Sequence, residues 1–124
     1  MDRPDQISRE LYEHFKQILL ECGRDDWDGE GARHVEKSAI DDLLYTLTWL
    51  TQLITIPDVL SAEIDGSVCS TWICGERTIM LCCYGDEMVR YAAQMGHGAF
   101  HSGVVPIGES KTWVFIKWLA EMRH

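Results

Sequence analysis

Positive charge is scarce in this chain. Against 20 Asp and Glu stand 11 Lys and Arg, a net charge of −9 over 124 residues. No basic stripe exists to neutralise phosphates, so direct binding to DNA or RNA is not expected. The same negative field repels anionic membrane surfaces. Long hydrophobic runs are missing as well, and the first ten residues, Met1–Glu10, are polar. Neither a membrane span nor a secretory core is expected, which points to a cytoplasmic protein. No G-x-x-x-x-G-K-[ST], G-x-G-x-x-G or H-E-x-x-H occurs, and no cofactor is expected.

Cysteine is present without a pattern. The five are Cys22, Cys69, Cys74, Cys82 and Cys83. An odd count with no C-x-x-C spacing argues against a disulfide framework and against structural zinc. Buried, reduced thiols acting as small hydrophobes are the expectation.

What is there is an ordinary globular composition, 46% hydrophobic and 25% charged, in a length that suits one domain over 1–124. The charge is distributed unevenly. Residues 1–65 hold 15 acidic and 6 basic side chains, and residues 66–124 hold five of each. All the excess is in the first half. Acidity of this kind steers a protein toward basic surfaces, or simply keeps it soluble.

Residues 5–22 predict an amphipathic helix, with Ile7, Leu11, Phe15, Ile18, Leu19 and Cys22 in one stripe and Gly23 as the stop. A polar segment, Arg24–Glu36, follows. A second helix is predicted over 37–54, with Ser38 as its N-cap and Ile40, Leu43, Leu44, Leu47, Leu50 and Ile54 as its stripe. After Pro57 the period changes to alternation. Strands are predicted at 59–64, 67–74, 78–84 and 88–94, with turns at Asp65-Gly66, Gly75-Glu76 and Gly85-Asp86. The third of these is apolar on both alternating sets, Ile79/Leu81/Cys83 and Met80/Cys82/Tyr84, which predicts cover on both faces. Residues 96–108 are Gly-rich and read as a loop or as a fifth strand over 99–105. Residues 112–123 predict a last helix, apolar around most of its circumference. The fold class is therefore α+β: two N-terminal helices, an antiparallel β-meander of four to five strands, and a C-terminal helix.

One segment invites a chemical reading. Asp26-Trp27-Asp28-Gly29-Glu30-Gly31 places carboxylates at positions 1, 3 and 5 of a calcium loop, with Gly at 6. The match then fails: position 12 is Lys37, with Glu36 one residue early, and position 8 is Arg33. The simpler reading puts Trp27 in the core, uses the glycines for tight turns, and lets Asp28 bond amides of its own loop. His97 and His101 are four apart, but their glycine neighbours argue against a helix that would align them. With a cysteine they would be the residues of an enzyme or metal protein. No catalytic residue is assigned.

The run Trp27-Asp28-Gly29-Glu30-Gly31-Ala32, followed by a helix, the turn Ile56-Pro57-Asp58-Val59 and a meander bearing Trp72, resembles a broad group of small bacterial and phage proteins. They share W-D-G-x-G-A, a helix and a β-meander. The resemblance covers roughly residues 20–95 and implies a fold and a phage or mobile-element setting rather than an activity. The cysteines in the strands and the His97–His101 stretch depart from it.

The leading functional expectation is a small acidic inhibitor, either an anti-CRISPR-like anti-defence factor or an antitoxin or immunity protein. Its partner would be a basic, nucleic-acid-binding protein. Asp25, Asp26, Asp28, Glu30, Glu36, Asp41 and Asp42 would imitate phosphates, and reversing Asp25, Asp26 and Asp28 to Lys should abolish binding with the fold intact. The alternative is a homodimer joined through the apolar C-terminal helix and the outer sheet face, anchored by Trp113, Phe115 and Trp118.

Overall fold

A computed structural model of the chain describes residues 4–53, 57–96 and 98–107. Two helices, α1 (Pro4–Cys22) and α2 (Lys37–Leu53), precede five strands: β1 (Val59–Ala62), β2 (Val68–Cys74), β3 (Arg77–Cys83), β4 (Met88–Gln94) and β5 (Phe100–Pro106). The strands form one antiparallel sheet in the order β1-β2-β3-β4-β5. The α+β class and the meander follow the sequence expectation. The predicted C-terminal helix, with Trp113, Phe115 and Trp118, lies outside the described residues, as does His97.

In α1 the apolar spacing buries Leu11, Phe15, Ile18 and Cys22 on one stripe. Beyond its end, the Cys22 carbonyl accepts the Val35 N–H at 2.8 Å, so the chain returns to the helix it left. In α2 the buried stripe is Ala39, Ile40, Leu43 and Leu47. The expected cap is corrected here. The Glu36 carbonyl accepts the N–H groups of Ala39 and Ile40, so the helix starts at Lys37 and Ser38 lies inside its first turn. The Ser38 hydroxyl donates to the Glu36 carboxylate at 3.4 Å, and it sits directly beneath Gly85.

The sheet's inner face carries Val68, Trp72, Ile79, Leu81, Cys83, Val89 and Ala93, all 1% exposed or less. They pack on the α1 and α2 stripes as one core. Trp72 and Phe15 are its largest fully buried side chains. Truncating a buried aromatic of this kind typically costs about 3–5 kcal/mol.

The hairpin at Gly75-Glu76 is a two-residue turn, with Gly75 at φ 60° in the first central position, as a II′ turn needs. This turn pairs Cys74 with Arg77 and, five residues back on each side, Cys69 with Cys82. Those two sulfurs are bonded across the strands, with Cα atoms 4.1 Å apart. The expectation of reduced thiols throughout is thus overturned for this pair, because register places them directly opposite. Cys22 and Cys83 are buried thiols as expected, whereas Cys74 is exposed. Burial pushes the Cys83 thiol up to about 12.

The Gly-rich stretch settles as a strand. β5 pairs with β4 from Met88↔Pro106 to Gln94↔Phe100. Gly103 is what admits the neighbouring ring, since a Cβ there would meet the Tyr91 hydroxyl at 2.6 Å. The expectation of cover on both faces of β3 fails among the described residues. Ile79, Leu81 and Cys83 are buried, but Met80 and Tyr84 on the other set are exposed.

Candidate functional site

The acidic segment between the helices is shaped by its own carboxylates. Asp28 Oδ1 accepts the N–H groups of Glu30 at 2.9 Å and Ala32 at 3.0 Å. Asp26 Oδ1 accepts Gly31 N–H at 2.6 Å, while the Asp26 N–H donates to the Ala32 carbonyl at 2.7 Å. These bonds wind the loop tightly, and Asp26, Gly29 and Gly31 all sit at positive φ. The backbone N–H bonds from Glu30 and then Ala32 hold Asp28 below the usual carboxylate range. The simpler reading of this loop therefore describes it, with one difference. Trp27 stops at the rim of the core and turns its indole N–H onto the Arg33 carbonyl at 2.9 Å. Among the described residues no cluster of His, Cys, Asp or Glu is arranged to hold a metal ion.

His34 closes the loop. Its Nδ1 lies 2.7 Å from Asp25 Oδ1, which also accepts the His34 N–H at 3.1 Å. Its Nε2 lies 3.4 Å from Glu36. The Asp25 hydrogen bond, with Glu36 behind it, pushes the imidazole up from its ordinary value. The His34 ring, and then its N–H, hold Asp25 down.

Two turns from the sheet complete this end of the molecule. The first is Glu63–Ser67, between β1 and β2. It is tied to the loop by the Arg33 N–H on the Ile64 carbonyl at 2.8 Å. Asp65 accepts the Ser67 N–H and hydroxyl and the Tyr84 hydroxyl. Burial raises the Asp65 carboxyl, but these bonds outweigh it and leave it low. The second turn is Tyr84–Glu87, between β3 and β4. Its Gly85 comes so close to Ser38 and Ala39 that any side chain would collide with them. Glu87, at φ 63°, donates its N–H to Asp42 Oδ2 at 2.9 Å. Asp86 receives both guanidinium nitrogens of Arg90, at 2.8 and 3.3 Å, and Arg90 lies 4.5 Å over the Tyr84 ring.

The seven carboxylates singled out from sequence thus divide. Asp25, Asp26, Asp28 and Asp42 are bonded inward, and Asp42 is also buried, which raises its carboxyl. Glu30, Glu36 and Asp41 point to solvent, and Asp41 shares an exposed, weak pair with Lys37 at 3.4 Å. Reversing Asp25, Asp26 and Asp28 would therefore dismantle the loop, contrary to the expectation that the fold would survive. Sequence reasoning missed Glu63, Asp65, Asp86 and Glu87, which tertiary structure adds to the same pole. The signal was present in the turns themselves, since hairpin turns alternate between the two ends of a meander. Asp41, Asp42, Asp86 and Glu87, with Ser38 and Gly85, line a cleft of about 380 Å³. Asp25, Asp26 and His34 border another of about 370 Å³. His101 is on β5, away from this pole and exposed.

No helix among the described residues is long and apolar enough to cross a membrane. Compared with known proteins, the chain matches no family model, no curated protein and no solved structure.

Proposed function

We propose that the acidic pole is a binding surface for a basic protein, and that the chain acts as an inhibitor by occupying a groove that otherwise takes nucleic acid. The observation that carries this reading is the convergence of four separate segments on one end of the fold. The 25–36 loop, the first turns of α2, and the two sheet turns all bring carboxylates there. The loop's inward bonds make it a rigid mount, and Glu30, Glu36, Asp41 and Glu87 are left exposed upon it. Fixed carboxylates at helix-end and turn spacing present an Arg- and Lys-lined groove with charges it would otherwise take from phosphates. Such a partner associates quickly and releases as salt rises.

Binding needs neither a cofactor nor a catalytic residue. An anti-defence factor of the anti-CRISPR-like kind, or an antitoxin or immunity protein, fits this action. The phage or mobile-element setting rests on the resemblance of residues 27–32.

Capture from nuclease-treated host lysate, at low and at moderate salt, tests the reading. A nucleic-acid-binding protein retained at low salt and lost at moderate salt supports it. The Glu30→Lys, Asp41→Lys, Glu87→Lys variant should lose that protein while keeping its thermal melt, because none of the three side chains carries a loop bond. Retention at undiminished affinity would overturn it.

A further inference from the structure

We infer that the outward face of the sheet is a contact surface for a second copy of this chain, packed face to face. This does not rest on the acidic-pole reading, since the two surfaces are different parts of the fold.

The face is apolar and open. Val59, Ile73, Phe100 and Val104 are 45–62% exposed, and Met80 is 36% exposed, all at outward positions of the register. One large apolar side chain on a surface means little, but five on one face of one sheet form a patch.

Charge selects the occupant. The outward positions of the five strands include no Asp or Glu, in a chain with 20 of them. Their one charged side chain, Arg90, is already paired with Asp86. A basic protein would find nothing there to bind, and nucleic acid would find one engaged guanidinium. A second copy brings another −9 and is repelled wherever acids meet. The acid-free face is where it can approach closely. Face-to-face contact about a two-fold axis lying across the strands also sends the two acidic poles to opposite ends.

Area and shape are adequate. Four strands of seven residues and one of four, about 4.8 Å apart with about 3.3 Å per residue, make a plane of about 500 Å². Side-chain relief and the rim raise this toward the roughly 800 Å² per partner of a standard interface. Small outward residues (Thr71, Ala92 and Ser102) lie beside Ile73, Met80, Phe100 and Val104, giving the hollows and ridges that sheets packed about 10 Å apart interlock. The Cys69–Cys82 bond lies in this face and locks the β2–β3 register within the contact.

The test is sedimentation of the full chain from low micromolar to submillimolar concentration, with oxidative footprinting of Met80 alongside. Dimer mass with concentration-dependent Met80 protection is expected. Raising salt should tighten the dimer by screening the poles, whereas it weakens the binding proposed for the acidic surface. Ile73→Lys and Met80→Glu, made singly, should each raise the dimer dissociation constant at least about tenfold, and the thermal melt of the dilute monomer should stay unchanged. A monomer at every concentration would overturn the inference. So would a dimer indifferent to both substitutions, which would be joined elsewhere. Met80 protected at all concentrations in a monomer would also overturn it, by showing that residues 108–124 of the same chain cover the face.

Discussion

The acidic pole and the outward sheet face belong to one small molecule and are built by opposite means. At the pole, charge is dense and most carboxylates are bonded to backbone N–H groups, so negative charge organises the chain. On the outward face carboxylates are absent, and the strands are held by their ladder and one covalent cross-link. Charge serves as mortar in the first region and is kept out of the second. The lesson is that net charge describes neither surface. A protein at −9 can carry a sheet face whose strand positions hold no carboxylate.

Four perturbations sharpen or break this contrast. The largest effect is expected at the cross-link. Replacing Cys69 and Cys82 together by Ala opens a loop spanning 13 positions, and loop-closure entropy puts the loss at about 3 kcal/mol. That is roughly 10 °C in melting temperature for a domain of this size. Melts with and without reductant should differ for the natural chain and coincide for the variant. Coincident melts for both would mean the outward face does not depend on the bond.

Next is the seam where the pole meets the sheet. Gly85 combines φ 93° with contact against Ser38 and Ala39, so Gly85→Ala should destabilise by about 2 kcal/mol. Adding Ser38→Gly removes the clash with the serine side chain but leaves the backbone strain and the contact with the Ala39 nitrogen at 3.0 Å. Measured against Ser38→Gly alone, less than half of the loss should therefore return. Denaturant titration of these variants checks this. No recovery would place the whole cost in the backbone.

A smaller effect is expected on the outward face itself. Ile73→Thr keeps a β-branched side chain at an exposed position, so its stability should change by no more than about 0.5 kcal/mol. A larger loss in the dilute monomer would show that the side chain is already covered.

The smallest change is local and depends on pH. His34 is held above the ordinary imidazole value, by Asp25 first and then Glu36. Its share of the clamp is therefore complete below that ordinary value and fades as pH rises through the raised one. Asp25 is held low by His34, so its share is present above the ordinary carboxylate range and fades as pH falls through the lowered value. The Gly31 and His34 amides, corrected for intrinsic rate, should exchange most slowly in mildly acidic buffer and faster on either side. His34→Phe should remove the alkaline arm of that profile. An unchanged arm would mean the clamp does not control the loop.

Much of this was legible in the sequence, for a common reason. Helix and strand periods report which side of an element is buried, so α1, α2 and four strands were readable from apolar spacing. Loop chemistry is equally local, so Asp28 could be assigned to the amides of its own loop from the Asp-Gly-x-Gly pattern alone. Even the Cys69–Cys82 pairing was within reach, because a two-residue turn at Gly75-Glu76 dictates which residues face each other.

Other features depended on elements distant in sequence. Ser38 was displaced as a cap because the Glu36 carbonyl had already opened the helix and Gly85 had to pass over its hydroxyl. Asp42 became an interior ligand of the Glu87 N–H, 45 positions away. Asp86 and Glu87 joined the acidic pole from the half of the chain, residues 66–124, whose acidic and basic side chains balance. Sequence by itself determined the elements, their order and their buried sides, since those follow from interactions within a few residues. Only tertiary structure decided which carboxylates are spent inside and which reach solvent, since that depends on which distant backbone N–H groups the packed elements bring within hydrogen-bonding distance.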